Sequence, residues 1–370
     1  MPEIKLVNVT KRFGKAVAVD NLNLTIEDGE FVTLLGPSGC GKTTTLRMIA
    51  GLETPSEGEI YIDGECVFSS ETGVDINPDK RNVGFLFQNY ALWPHMTVYK
   101  NIAFGLENMK WEKSRIEVRV KELLHLLRID EFADRYPSEL SGGQQQRVAI
   151  ARTLATGPKI LLMDEPLSNL DAKLRMEMRT ELKRLHVETG STFVYVTHDQ
   201  LEAMTLSTKI CLLKDGFLQQ FQPPLDIYRY PANFFVADFV GSPNINILKV
   251  KGSNVNLDEI KLTHEKMEFL FEPVSSSVTI QADQELLLGI RPEDIVLDEK
   301  GVVEGKIYST LPSGMETIVK IDIDGSILTS VVFGDVDFAV GEEARLSFPG
   351  DRYVLFDGKT TKNIAGGKLM

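Results

Sequence analysis

Along the first 235 residues, near-continuous apolar runs alternate with stretches whose apolar positions recur every three or four residues. Phe31–Leu35, Lys159–Met163 and Thr192–Thr197 have the length and the unbroken hydrophobicity of strands buried on both faces. Thr43–Ala50 reads as the opening of a helix that ends near Gly51, and Ile116–Leu127 is amphipathic inside a largely helical region, 110–155. Asp171 is placed to cap a further helix, whose Leu174, Met178, Leu182 and Leu185 share one face. Such alternation predicts an α/β fold. Ile4–Val9, Leu22–Ile26 and Glu59–Ile62, with the turn Asp63-Gly64, predict a small antiparallel sheet beside the main one. The texture changes after about residue 240. Gly241-Ser242-Pro243-Asn244 is a turn or linker signal, and the short runs Leu286–Ile290, Thr317–Ile323, Ile327–Phe333 and Tyr353–Phe356 follow, with Asp324-Gly325 as a hairpin turn. This part should be mostly β, as a small barrel or a pair of barrels.

A chain of 370 residues, 43% hydrophobic and 25% charged, has room for two or three domains with their own cores. No run approaches the roughly 18 apolar residues of a membrane-spanning helix, and the start lacks a secretory pattern. Cys40, Cys66 and Cys211 are scattered and odd in number, which favours a reducing compartment over a disulfide framework. The five histidines have no metal-ligand spacing. Charge narrows the partners. Residues 1–235 carry 27 basic against 31 acidic side chains, and residues 236–370 carry 13 against 22. Neither part offers the positive excess that nucleic acid requires, and anionic lipid would repel both. Any attachment to a membrane must run through a protein partner.

Candidate chemistry begins where the strand Phe31–Leu35 ends. Gly36-Pro37-Ser38-Gly39-Cys40-Gly41-Lys42-Thr43 fits the phosphate-binding P-loop pattern, Gly-x4-Gly-Lys-Ser/Thr. Glycines let consecutive N–H groups and a helix N-terminus face an anion. Lys42 would reach the β and γ phosphates, and the Thr43 hydroxyl would ligate Mg²⁺, with Thr44 beside it. Cys40 is a small residue tolerated in a tight loop. Ile160–Met163 leads into Asp164-Glu165, a strand ending in two carboxylates. By itself this reads equally well as a strand capped by solvated acids. Beside a P-loop it reads as the Walker B strand, with Asp164 for Mg²⁺ and Glu165 to polarise an attacking water. His198 follows another apolar strand and reaches the same rim, the carboxyl edge where ligands bind in such sheets.

Leu140–Arg147 reads Leu-Ser-Gly-Gly-Gln-Gln-Gln-Arg. With the P-loop a hundred residues earlier, it resembles the nucleotide-binding subunit of an ABC transporter. The resemblance implies a P-loop NTPase cassette over 1–235, made of a RecA-like core, an antiparallel β subdomain and a helical subdomain at about 90–155. It further implies a linker at 236–245 and an all-β, barrel-like (OB-type) regulatory domain over 246–370. It gives His198 contact with the γ-phosphate, makes Gln88 a sensor of Mg²⁺ and the attacking water, and sets Phe13 against adenine. It implies two copies packed head to tail, homomeric or with a similar chain. Ser141, Gly142, Gly143 and Gln144 of each copy would then close over the ATP of the other, while Ser168-Asn169-Leu170-Asp171 crosses between sites, with Asp171 in crosstalk. ATP and Mg²⁺ are the implied ligands.

Asn89–Val98, Tyr195–Thr205, the stretch Phe235–Leu248 and Gly289-Ile290-Arg291-Pro292-Glu293-Asp294 are similar to the carbohydrate-importer branch of that family. This implies an ATPase that drives solute import from the cytoplasmic face of the membrane, held there by two permease subunits. An extracytoplasmic solute-binding protein would be an indirect partner. The aromatic stretch 89–105 would help receive a short helix from each permease. Polyamine, iron or sulfate import is the alternative within the same chemistry. A soluble ABC protein of translation or repair fits worse, because such proteins usually carry two cassettes or basic surfaces. A nucleotide kinase would leave Leu140–Arg147 without a purpose.

Overall fold

The computed structural model describes residues 3–256, 258–265, 267–274, 278–334 and 336–370. They form two compact units, Met1–Pro224 and Leu225–Met370. In the first unit Phe31–Leu35 is a central strand of a six-stranded sheet. Its neighbours are Lys209–Lys214 and Thr192–Val196, followed outward from the latter by Ile160–Asp164 and Val83–Leu86. These five run parallel, and Phe217–Gln222 closes the opposite edge antiparallel. The apolar runs are continuous because both faces are covered. Leu161, Met163, Phe193 and Tyr195 join a core with the helices Val98–Asn108, Lys113–Leu126, Gly142–Ala155 and Ala172–Thr189. Their alternates Ile160, Leu162, Val194 and Val196 pack instead with Leu46, Met48 and Ile49 of the helix Lys42–Ala50 and with a five-stranded antiparallel sheet. A period of two thus divides each strand between two cores.

The antiparallel sheet is larger than its apolar runs suggest. Ile4–Phe13 and Ala16–Ile26 form one long hairpin, and Glu57–Ile62, Glu65–Ser69 and Val74–Asp75 complete the sheet. Helix Lys42–Ala50 ends at Gly51 in the left-handed conformation (φ 75°). Its last carbonyls are satisfied by a residue thirty positions away. The fully buried Arg81 donates from Nη1 to Met48 O at 2.8 Å and Ile49 O at 3.1 Å, and from Nε to Ile76 O at 2.8 Å. Its Nη2 meets Asp75 at 3.2 Å. A Cβ on Gly51 would lie 2.5 Å from Arg81 Nε, so the glycine is also required for close approach. Asn101 acts similarly in the helical subdomain. It is buried, accepts from Trp93 N at 2.9 Å and donates to the carbonyls of Trp93, Met96 and Thr97, fixing the loop before helix Val98–Asn108.

In the second unit, Asn246–Asn254, Ile260–His264, Met267–Pro273, Asn363–Leu369, Tyr353–Asp357 and Gln284–Ile290 close into a barrel. Of the barrel or pair of barrels expected, one closes. The other strands, Val296–Leu297, Glu343–Ser347, Val303–Pro312, Glu316–Ile323 and Ser326–Phe333, form a five-stranded sheet that shares the barrel's core. Asp324 (φ 49°) and Gly325 (φ 93°) turn the hairpin between Ile323 and Ser326, as type I′ geometry demands. The stretch expected as a linker holds the helix Phe234–Phe239, whose Ala237 packs with Ile245, Val354 and Phe356. The buried Arg291 caps that helix by donating to Ala237 O at 3.0 Å and Val240 O at 2.7 Å, with its guanidinium 4.0 Å from the Tyr228 ring centre.

Arg81→Met should destabilise the first unit by about 2–4 kcal/mol, because several buried carbonyls lose their donor at once. Urea unfolding of the full chain checks this; a loss below about 0.5 kcal/mol would mean that water replaces the guanidinium there.

Candidate functional site

The strand ends bring the expected residues to one level. Leu34 is paired with Val196, Val196 with Asp164, and Met163 with Leu86, so Gly36, Glu165, His198 and Gln88 all leave the sheet on its carboxyl edge. The loop after Phe31–Leu35 turns tightly through Gly36 (φ 150°) and Gly41 (φ 102°). Any Cβ would collide there, at 2.2 Å from Leu213 O for Gly36 and 2.4 Å from Ala18 O for Gly41. Pro37, Ser38, Gly39 and Cys40 span the turn, with Ser38 and Gly39 exposed and Cys40 buried. Gly41 caps helix Lys42–Ala50 without any side-chain hydrogen bond, so the first N–H groups of the helix remain available to an anion. The buried Lys42 folds back into the loop and donates from Nζ to Gly36 O and Pro37 O, each at 2.8 Å. Burial pushes the Cys40 thiol up, with Lys42 opposing it, and so disfavours a reactive thiolate. Thr44 is half-buried one residue beyond Thr43.

Thr43 Oγ1 donates to Asp164 Oδ1 at 2.8 Å, and Arg47 Nη2 lies 3.6 Å from Asp164 Oδ2. Burial nevertheless dominates and raises the Asp164 carboxyl above its ordinary range, against the help of Thr43 and Arg47. A buried carboxylate paired with a hydroxyl is a set of hard oxygen donors that suits Mg²⁺. Among the described residues no group of three or more His, Cys, Asp or Glu converges. A Mg²⁺ held by Thr43 and Asp164 would keep water and phosphate as its other ligands, which is its common habit.

Glu165 occupies the left-handed region (φ 45°), a conformation that costs a non-glycine residue roughly 1–2 kcal/mol. It is held by Glu165 N donating to Val196 O at 3.1 Å and Ser168 Oγ donating to Glu165 O at 2.8 Å. Its side chain is met on both sides. Gln88 Nε2 lies 3.4 Å from Oε2, and His198 Nδ1 lies 3.5 Å from Oε1. Gln88 is also 3.3 Å from Ser168 Oγ, and Asn169 Nδ2 donates to Gln88 O at 3.1 Å. Tyr90 (φ 60°) and Ala91 (φ 47°), just beyond, are again left-handed.

Behind His198 lies a network that sequence reasoning missed. Glu202 is buried and accepts at Oε2 from Tyr195 OH at 2.8 Å and Thr197 Oγ1 at 2.6 Å. Thr197 Oγ1 in turn accepts from Asp199 N at 3.0 Å, which fixes the turn carrying His198. Burial raises the Glu202 carboxyl, and the two hydroxyls oppose that rise. Asp199 caps helix Gln200–Leu206, and Arg175 Nη1 lies 3.6 Å from its Oδ2. Glu202 lies inside the stretch Tyr195–Thr205 that stands out in the sequence, but its own type and spacing, four residues after His198 on a helix, are those of an ordinary first-turn acid.

Ser141, Gly142, Gly143 and Gln144 open the helix Gly142–Ala155, and no hydrogen bond joins them to the P-loop among the described residues. Ser141 caps that helix: Gln144 N donates to Ser141 Oγ at 3.4 Å, and Ser141 N donates to Gln144 Oε1 at 2.8 Å. This is the capping box Ser-x-x-Gln, a signal that was present in the sequence. A Cβ on Gly143 would come within 2.6 Å of Leu174, so the glycine lets this helix lie against Ala172–Thr189. Asp171 caps Ala172–Thr189 by accepting from Leu174 N at 3.0 Å. Phe13 stands at the tip of the long hairpin, 49% exposed, with Lys11 Nζ 4.8 Å from its ring centre. Its ring is not part of the hydrophobic core. The same hairpin touches the P-loop where Ala18 meets Gly41.

Residues 19–168 match the family model of the ABC transporter, and residues 288–356 match that of the TOBE domain. The chain is 42% identical to the maltose/maltodextrin import ATP-binding protein MalK of Vibrio cholerae, over 98% of this chain and 97% of that protein. It is 43% identical to the trehalose/maltose import ATP-binding protein of Thermococcus litoralis, over 98% and 100%. It is also 45% identical to the Fe(3+) ions import ATP-binding protein of Fusobacterium nucleatum, over 87% and 91%. Among solved structures, a dimeric ATP-binding cassette in a post-hydrolysis state bound to ADP and phosphate matches with a TM-score of 0.52 and 39% identity. That match covers 60% of this chain and 98% of the other.

The carboxyl of Asp164 yields a stability prediction. Its folded value lies above the unfolded one, so the native state holds the proton more tightly and stability falls as pH rises through that window. Asp164→Asn should therefore raise the Tm of the nucleotide-free chain near neutral pH, because the burial cost of the charged carboxylate is removed. The gain should fade as pH falls into the usual carboxylate range, which thermal melting across pH reads directly.

Proposed function

The chain belongs to the ABC transporter family of import ATP-binding proteins, which bind and hydrolyse ATP, and on that premise we propose that it is the ATPase motor of a carbohydrate importer. The observation that carries the chemistry is the meeting of Gln88, Glu165 and His198 beside the P-loop. What supports a sugar rather than another solute is likeness over nearly the whole chain to proteins named for maltose, maltodextrin and trehalose import. Iron import remains the second reading, favoured by a relative of similar identity that covers less of the chain.

In this reading Lys42 exchanges the carbonyls of Gly36 and Pro37 for phosphate oxygens, and the free N–H groups of the loop and helix receive the rest of the charge. Phe13 stacks on adenine from the hairpin tip. Thr43, Asp164 and Gln88 would hold Mg²⁺, which when bound would neutralise charge developing on the phosphates. Glu165 takes the proton of the attacking water as that water forms a bond to the γ-phosphorus and ADP leaves with the bridging oxygen. Gln88 and His198 flank the carboxylate and fix where the water stands. Ser141–Gln144 then act on the nucleotide of a second copy, or of a similar chain, and Asp171 stands at the crossing between sites.

Closure of two copies around two nucleotides would move a pair of membrane permeases fed by an extracytoplasmic solute-binding protein. No helix among the described residues is long and apolar enough to cross a membrane, so those permeases would hold the chain at the cytoplasmic face. The β-rich unit, with its TOBE match, is the regulatory module in this scheme. The acidic surface supports no role for nucleic acid.

Glu165→Gln should lower kcat by about 10²–10⁴-fold, retain ATP binding, and accumulate as a dimer in ATP and Mg²⁺. Turnover and size-exclusion chromatography measure both effects, and undiminished hydrolysis would remove Glu165 from the base role. The same variant, tagged and purified from its native host in mild detergent, should bring two permeases of a sugar type with it. Recovery of iron permeases would select the second reading.

A further inference from the structure

Arg152 lies in the last turn of the helix that Ser141 caps, and 61 residues along the chain from Ala91. Its guanidinium is directed at the loop that carries Gln88. Nη1 donates to Ala91 O at 2.6 Å, Nη2 donates to Tyr90 O at 2.8 Å, and the group lies 4.7 Å from the centre of the Trp93 ring. The two accepting residues are the left-handed pair, neither of them glycine. Such a backbone persists only while its surroundings hold it, and a bidentate guanidinium on consecutive carbonyls is a rigid holder. On its other side the same loop is pinned by Asn169 Nδ2 on Gln88 O and by Ser168 Oγ near the Gln88 amide. Only Asn89 separates the two anchors.

We propose that Arg152 is a positioning residue that ties the attitude of the helix Gly142–Ala155 to the placement of Gln88 beside Glu165. The inference rests on the catalytic reading of Gln88 and Glu165 given above. The helix has 14 residues, which makes it a rod of roughly 21 Å. Ser141 caps one end, where the partner's nucleotide would be engaged, and Arg152 grips the Gln88 loop at the other. A tilt of the rod at the Ser141 end is delivered as a pull on two carbonyls next to the catalytic glutamine. Engagement of one nucleotide is thereby reported within the same chain to the geometry that hydrolyses the other.

Arg152→Lys keeps the charge but replaces the planar, two-pronged guanidinium with a shorter point-charge ammonium that cannot reproduce its fixed fork geometry, whereas Arg152→Met keeps the packing on Trp93 and loses both bonds. Both are made in the full chain and compared with wild type by thermal melting, binding of fluorescent trinitrophenyl-ATP, and steady-state hydrolysis over a Mg²⁺ titration. In folded variants the nucleotide affinity should stay within about threefold, because the P-loop is untouched. The kcat should fall about tenfold to a hundredfold in the Met variant and by less in the Lys variant, and both should need more Mg²⁺ for half-maximal rate. Unchanged kcat and unchanged Mg²⁺ demand in a folded variant would overturn the inference, and the Lys variant decides alone if the Met variant does not fold. Loss of nucleotide affinity in step with rate would also overturn it, since that marks general disruption. A wild-type chain with no turnover at all would overturn the proposed function first, and this inference with it.

Discussion

Everything at the candidate site depends on a parallel sheet buried on both faces. Because Ile160–Asp164, Phe31–Leu35, Thr192–Val196 and Val83–Leu86 run in the same direction and in register, they all stop at the same edge. Two cores, one on each face, remove any freedom to slip: a shift by one residue would exchange Leu161 and Met163 with Ile160 and Leu162, which pack against different neighbours. The registered edge is what brings Asp164 to Thr43 and Glu165 to His198 without any residue having to reach. The chemistry is therefore a property of strand ends, and the loops that follow only have to aim.

That aiming is done under tension. Glu165, Tyr90 and Ala91 all adopt left-handed backbone without being glycine, and each is held by bonds from elsewhere in the chain: Val196 and Ser168 for the first, Arg152 for the other two. Asp164 is burdened in a different way, since its burial raises its carboxyl even with Thr43 and Arg47 beside it. Strained backbone and a buried carboxylate of this kind raise the free energy of the nucleotide-free protein. Cost in the free protein becomes affinity and order in the loaded one.

A recurring device secures the frame around the site: a buried polar side chain that ties helix-end or loop carbonyls to a distant segment. Arg81 does this for the helix after the P-loop, Asn101 for the loop around Trp93, and Arg291 for Phe234–Phe239 in the β-rich unit. Each satisfies several acceptors at once, which a buried helix end requires. The Gly289–Asp294 stretch, which stands out in the sequence, owes part of its form to this, because Arg291 needs both the strand before it and the short turn after it.

The amino-acid sequence by itself determined the fold class, the P-loop, the strand ending in Asp164-Glu165, the helix caps at Asp171 and Ser141, and the hairpin at Asp324-Gly325. These are local facts: hydrophobic period, glycine where the backbone must turn, a capping side chain three residues from its acceptor. Even there some signals went unread, since the Ser141–Gln144 run is a plain capping box as well as a motif. Only the tertiary structure decided how far the first hairpin extends, that Phe13 stands exposed, that one barrel closes while five strands remain a sheet, and which polar residues do the holding. Arg81 and Met48 are 33 positions apart, and Arg152 and Ala91 are 61. No period or spacing marks such pairs, because a single buried arginine looks like any surface arginine until folding brings it to the carbonyls it serves.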